Sequence, residues 1–446
     1  TAYELRLSLV GSEMCIRDRA NKLGISAKEE VYAPMGGNSP QVLLDDALTK
    51  ISAGEVDCAL LSGGEALQTM IARLKSGLSL DWLDEPGGNP EMIGNNSIGF
   101  SEHEKLHGMD LPTNVYPLFA NALRGQENKT AKTHLKESSE LFSEFSKVAA
   151  NNPLSWFPTY RSSREISEVT PENRMIGFPY TKLMNSNAFI DQSAAIILTS
   201  VAKAKELGIP KEKWVYLHGC ADAYDHWYLS DRKNFHSSPA MSKVAQEAFE
   251  MANCTLDDMA ALDLYSCFPS AVQIACDEMG IPLDDPRGLT VTGGLPYFGG
   301  PGNNYVTHSI AEMMNKVRAN PGSKGLVTAN GNYVTKQSAG IYCTEPTEEP
   351  FSPKDPKIYQ AEIDADKGPS VTEVANGDAT IETYTIMHDR KGPSFGILFG
   401  RLSDGSRFIA NTPDDLDLML EMTSNDYLGA EGKVKEVNGV NIFTPS

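Results

Sequence analysis

No apolar run in this 446-residue chain is long enough to cross a bilayer: the longest, such as Ala194 to Leu198, fall far short of the ~20 residues a membrane helix needs. Cysteine is sparse and never paired. Cys15, Cys58, Cys220, Cys254, Cys267, Cys276 and Cys343 stand singly with no CxxC, which argues against a zinc ribbon and a disulfide framework and suits a reducing, cytoplasmic compartment. Positive charge is also short. Lys and Arg total 39 against 59 Asp and Glu, a net charge of −20, so a nucleic-acid partner is excluded while a single phosphorylated ligand is not.

What is present is globular: 41% hydrophobic and 22% charged residues, over a length that accommodates two or three cores. Thr1 to about Arg19 resembles a translated sequencing-adapter fragment and is set aside from fold reasoning. With it goes any reading of a targeting signal.

Ser39-Pro40 followed by Leu44, Ala47, Leu48 and Ile51 predicts a capped helix closed near Gly54. The apolar run Val56 to Leu61 predicts a strand buried on both faces. From 81 to 185 the pattern loosens into an irregular excursion of the kind that forms part of a binding site, with one polar helix around His134 to Ala149. Order returns with a strand at Ala188 to Leu198. A second α/β series follows, with strands at Trp214 to Leu217, Ala261 to Tyr265 and Gly325 to Ala329 and helices after Ser238 and from Ser270 to Met279. Residues 346–356 read as a linker. Beyond them the pattern alternates, with turns at Asp404-Gly405 and Asn438-Gly439, predicting a small all-β domain over 357–446.

Three motifs bear on chemistry. Gly293 to Asn304 holds five glycines in twelve residues ahead of a helix carrying His308, which suits either a backbone that approaches a ligand or a tight structural loop. His103-Glu-Lys-Leu-His107 matches a zinc-peptidase pattern literally, but Gly108 and Pro112 end the helix at once, and it reads as a solvated helical turn. Cys267 falls where a strand passes into a helix, a place for a functional thiol or for a small buried hydrophobe; Asn330 ends a neighbouring strand in a similar position.

Residues 20 to 345 resemble the thiolase superfamily, most closely its sterol-carrier-protein-type members and acetyl-CoA acetyltransferases. Ser62-Gly-Gly-Glu-Ala66 falls on the family's Gly-Gly-x-Glu segment, Tyr265-Ser-Cys-Phe268 on its Asn-Glu-Ala-Phe motif, Gly293 to Asn303 on Gly-Gly-x4-Gly-His-Pro, and Gly325 to Asn332 on the Cys-x-Gly strand. The tail resembles the OB-like domain of some thiolase-like proteins. The resemblance implies a duplicated αβαβα layered core, truncated at its N-terminus, with halves at 20–208 and 209–345. It also implies CoA or acyl-CoA as substrate or ligand, no other cofactor, no metal, and a homodimer or another lipid-metabolism enzyme as partner.

The family's catalytic residues do not carry over. Its nucleophilic cysteine corresponds to Gly37, its histidine to Gly300, its second cysteine to Asn330 and its asparagine to Tyr265. Glycine supplies neither nucleophile nor base, so the conventional mechanism is not expected. Any remaining catalysis would fall to Tyr265, Cys267, His308 and Asn330, and ligand contacts to Gly37, Asn38, Gly299, Gly300, Gly302 and Asn303. The rival expectation is a non-enzymatic acyl-CoA carrier or scaffold.

Overall fold

The structure, a computed structural model, describes residue 24, residues 27–79 and residues 91–446; the 1–19 segment and the first ten residues of the 81–185 excursion lie outside the described residues. Pro40 sits in the first turn of the helix Ser39–Ser52, and Gly54 takes a left-handed φ of 75° just beyond its end, as the sequence predicts. The strand Cys58–Ala66 follows and pairs antiparallel with Asp191–Thr199, Leu60 opposite Ile197.

That strand corrects the expectation of burial on both faces. Leu61, Ile196 and Leu198 point into the core, whereas Leu60 is 54% and Ile197 65% exposed. The physical reason is neighbourhood: among the described residues the pair forms a two-stranded sheet on its own, covered on one side only.

The second sheet has four strands in the order Tyr216–Tyr224, Lys336–Cys343, Lys324–Gly331, Met259–Asp263; the last two are parallel and the others antiparallel. The helices Ser39–Ser52 and Tyr305–Ala319 touch strands of both sheets and form the layer between them. Pro239–Met251 packs on the four-stranded sheet and on the helix Pro269–Met279. This is a layered α/β core with a single large hydrophobic cluster.

The irregular excursion holds two long helices: Pro112–Gln126, a correction to the expectation of loose chain, and Ala131–Asn151, where the sequence predicts a polar helix. Pro117 masks the helical period of the first. The second is polar in composition, yet it buries Leu141, Phe142, Phe145 and Ala149.

Residues 377–445 form a closed barrel: Gly377–His388, Pro393–Leu402, Arg407–Asn411, Val440–Pro445 and Glu431–Val437 pair in a ring, and the helix Leu416–Ser424 sits in the connection. The turns fall at Asp404-Gly405 and Asn438-Gly439. The barrel has its own small core around Tyr384, Leu398, Phe408 and Phe443. The core hairpin Met175–Gly177 and Tyr180–Thr181 adds to this sheet through Met387.

Candidate functional site

The loop 34–38 that leads into the helix Ser39–Ser52 brings Gly37 against Tyr265 and the strand end at Asn330. A side chain at Gly37 would begin less than 3.0 Å from the Tyr265 hydroxyl and from the Asn330 carbonyl, a separation real carbon atoms do not show. A side chain at Gly300 would likewise meet the Ser186 hydroxyl. Both positions that the family resemblance marks for nucleophile and base are therefore filled by other groups of the chain.

Around Tyr265 the site is closely packed. Asn330 Nδ2 donates to the Tyr116 hydroxyl at 3.1 Å, and Gln337 Nε2 donates to Asn330 Oδ1 at 3.3 Å. Tyr116 stacks on Phe268, with ring centroids 4.3 Å apart, and its hydroxyl lies beside Cys267. Burial pushes the Cys267 thiol up to about 12, although the Tyr116 hydroxyl pulls the other way. At neutral pH this is a thiol, not a thiolate. A cavity of about 10 Å³ beside Tyr265, Asn330 and Gln337 has room for no more than one water.

The strand bearing Asn330 ends in a constrained turn. Asn332, Tyr333 and Val334 all take left-handed φ, between 49° and 64°, which costs about 1–2 kcal/mol per residue for non-glycine side chains. The Tyr333 hydroxyl, donating to the Asp110 carbonyl, and the buried Val334 hold it. Next along, Lys336 is buried with Nζ donating to the carbonyls of Met35 and Asn95 over the Trp227 ring, and burial lowers it to about 8.

His308 does not join this cluster directly. It lies on the helix Tyr305–Ala319 with its ring edge-on to Phe298, 5.3 Å away; Phe298 in turn meets Tyr305, and Tyr305 meets Tyr265. Burial lowers His308 to about 4, so it is a neutral imidazole two rings away from Tyr265.

The glycine-rich loop packs against protein. Side chains at Gly293, Gly294, Gly299 and Gly302 would strike Ala149, Phe145, Gln192 and Glu65. Asn303 Oδ1 accepts the Gly36 N–H at 2.9 Å, and Asn304 Nδ2 donates to the Gly63 carbonyl at 2.7 Å. Asn38 reaches Ser338 at 3.4 Å, and Ser338 donates to Asp222. Asn303 thus fastens the glycine-rich loop to the loop 34–38, and Asn38 ties that loop to the strand Lys336–Cys343. A second cavity, about 50 Å³, opens between Ser39, Gly63 to Glu65 and Asn303.

His103-Glu-Lys-Leu-His107 is not a solvated turn. Glu104 is fully buried: it closes a capping box with Ser101 and accepts from the Ser230 N–H and hydroxyl at 2.9 and 3.1 Å. His107 Nδ1 meets the His103 carbonyl and Nε2 accepts from the Asn441 N–H. The segment anchors the C-terminal barrel, and its polarity reflects that buried contact, not solvent. Sequence reasoning missed Tyr116 and Ser186, which arrive from segments far away along the chain, and Gln337, which faces Asn330 from the neighbouring strand.

Comparison with known proteins agrees with this fold. A family profile for the additional C-terminal domain of thiolase-like protein type 1 matches residues 359–438. The crystal structure of a monomeric SCP2-thiolase-like protein type 1 from Mycobacterium smegmatis is 41% identical with a TM-score of 0.84, over 96% of this chain and 86% of that one. An acetyl-CoA acetyltransferase from Methanothermobacter thermautotrophicus is 26% identical over 241 residues, 52% of this chain; the match spans only 59% of that relative's length. An Ltp2-ChsH2(DUF35) aldolase is similar in fold alone, with 19% identity and a TM-score of 0.51 over 69% of this chain and 78% of that one. Layered core and appended barrel together define a thiolase-like protein. The chain belongs to the SCP2-thiolase-like type 1 family of the thiolase superfamily, with that family's additional C-terminal domain.

Proposed function

We propose that this chain binds CoA or an acyl-CoA thioester and performs no thiolase-type acyl transfer. The observation that carries the reading is the filled catalytic corner: Tyr265 stands where a nucleophile at position 37 would project, and Ser186 stands where a base at position 300 would begin. Cys267, the only thiol nearby among the candidate residues, is buried and protonated. Losing nucleophile and base together removes several powers of ten in rate.

Binding is supported by the surface beside the glycine-rich loop. Trp156 and Phe157 donate backbone N–H groups to the Phe298 and Tyr297 carbonyls, and Gln192 bridges the Leu154 and Phe298 carbonyls. The same segment exposes Leu154, Trp156 and Tyr160, an apolar surface suited to an acyl or pantetheine chain. Isothermal titration of the whole chain with CoA, acetyl-CoA and a long-chain acyl-CoA tests this. The expected result is saturable binding that Trp156→Ala weakens roughly ten-fold. Folded protein that binds none of the three overturns it.

A second reading, an assembly partner for another enzyme, is favoured by the outward-facing Leu60 and Ile197 on the two-stranded sheet. Copurification of an enzyme with the native chain but not with a Leu60→Asp, Ile197→Asp variant would select it.

A further inference from the structure

The helix Pro112–Gln126 is capped by Glu127, and four residues after Glu127 the helix Ala131–Asn151 begins. Two positions on one face of that second helix, His134 and Glu137, turn back toward Glu127. One ligating atom from each of the three, an imidazole nitrogen and two carboxylate oxygens, lies within 4.8 Å of the other two. We propose that Glu127, His134 and Glu137 form a divalent-metal site suited to zinc, in which the Lys129 ammonium stands in for the ion.

Two observations independent of the carboxylates point to a ligand. The first is His134. Its side chain is fully buried and neither ring nitrogen has a hydrogen-bond partner, although buried polar groups are paired in the great majority of cases. A metal ion bound to the nitrogen that faces the carboxylates would satisfy it.

The second is Lys129. Its Nζ lies 3.2 Å from Glu127 and 2.7 Å from Glu137, so a cation already sits between the two carboxylates. The Lys129 side chain is partly exposed and can swing out into water. Arg124 is not free to take its place: its guanidinium is engaged by Asn121 and Asp426.

One imidazole and two carboxylates are the nitrogen and oxygen donors zinc takes, with a fourth position left for water. Such an ion would tie the end of one helix to the start of the next. The Arg124–Asp426 pair and the approach of Leu428 to Gly125 put this junction beside the C-terminal barrel, so the site is structural in character.

The test is a zinc chloride titration of chelator-treated full-length chain, followed by calorimetry and by thermal melting. The native chain is expected to bind one zinc per molecule, and Lys129→Met, which removes the competing ammonium and leaves all three ligands, to bind at least ten-fold tighter with a larger rise in Tm. The Glu127→Gln, Glu137→Gln variant is expected to lose at least a hundred-fold in affinity while its circular dichroism is unchanged. Because both glutamates are at least partly exposed, this variant avoids the folding risk of replacing the buried His134. Absence of zinc binding in both native chain and Lys129→Met overturns the proposal, as does zinc affinity unchanged in the double glutamine variant.

Discussion

The reason Gly37 and Gly300 are glycine is visible in the neighbours of each. The Tyr265 hydroxyl and the Asn330 carbonyl occupy the space a side chain at 37 would need. Gly37→Cys is therefore expected to destabilise by about 1–3 kcal/mol through overpacking, and to confer no thiolysis. Urea denaturation and a thiolysis assay check both halves. Cys267 makes a second residue-scale prediction. With its thiol held near 12, iodoacetamide at pH 8 is expected to alkylate the exposed Cys58 in the native state and Cys267 only after unfolding. Peptide mapping by mass spectrometry reads the difference; prompt native labelling of Cys267 would contradict it. The glycines themselves are legible in the sequence because motif order and spacing place them. What fills the space is not, because Tyr116 and Ser186 come from segments about 80 to 150 residues away from Cys267 and Tyr265, and no local pattern announces such meetings.

At the scale of elements, the joint between core and barrel is made of buried polar groups. Arg407 is fully buried; it donates to the carbonyls of Ser230, Arg232 and Lys233, pairs with Glu382 at 2.7 Å, and lies over the Phe235 ring at 4.5 Å. Asn121 of the helix Pro112–Gln126 adds bonds to the Phe178 and Tyr384 carbonyls. Arg407→Met leaves the Ser230, Arg232 and Lys233 carbonyls without their donor, while Glu382 keeps Arg401, so it is expected to cost about 1–3 kcal/mol, measured as a lower urea midpoint. The strands and turns of the barrel are readable from alternation and from the Asp-Gly and Asn-Gly pairs. The helix at 112–126 is not, because Pro117 interrupts its period and its polar residues Asn114, Asn121 and Arg124 are buried, not solvated. The same inversion applies to Glu104 and His107: charged and polar residues suggest surface, while here they are the seam between two cores.

Across the whole molecule, acidity is not confined to the surface. Asp45 and Asp222 lie together under the loop that carries Gly37, both raised, Asp222 to about 6, first by burial and, for Asp45, then by Asp222's charge. A carboxyl whose folded value exceeds its unfolded value of 3.8 keeps a proton the unfolded chain has released, so its contribution to stability falls as pH rises from about 4 to about 6. Asp222→Asn is expected to match the native chain near pH 4 and to exceed it by about 2 kcal/mol at pH 7, read from paired thermal melts. A gap that shrinks as pH rises would refute the assignment. The layered core and the barrel are both expected from the sequence, since periodicity and glycine turns report on backbone. The packing around Gly37 and Gly300 is not, since only three dimensions reveal which groups border them.

That packing decides between a binding protein and an acyltransferase. The direct measurement is thiolysis of acetoacetyl-CoA by CoA, followed as formation of acetyl-CoA, with the whole chain at high concentration and a Cys267→Ala, Asn330→Ala variant as control. A filled corner predicts identical, background rates for both, with acyl-CoA still bound. Turnover by the native chain that the variant lacks would contradict it and would mean that a relocated thiol performs acyl transfer.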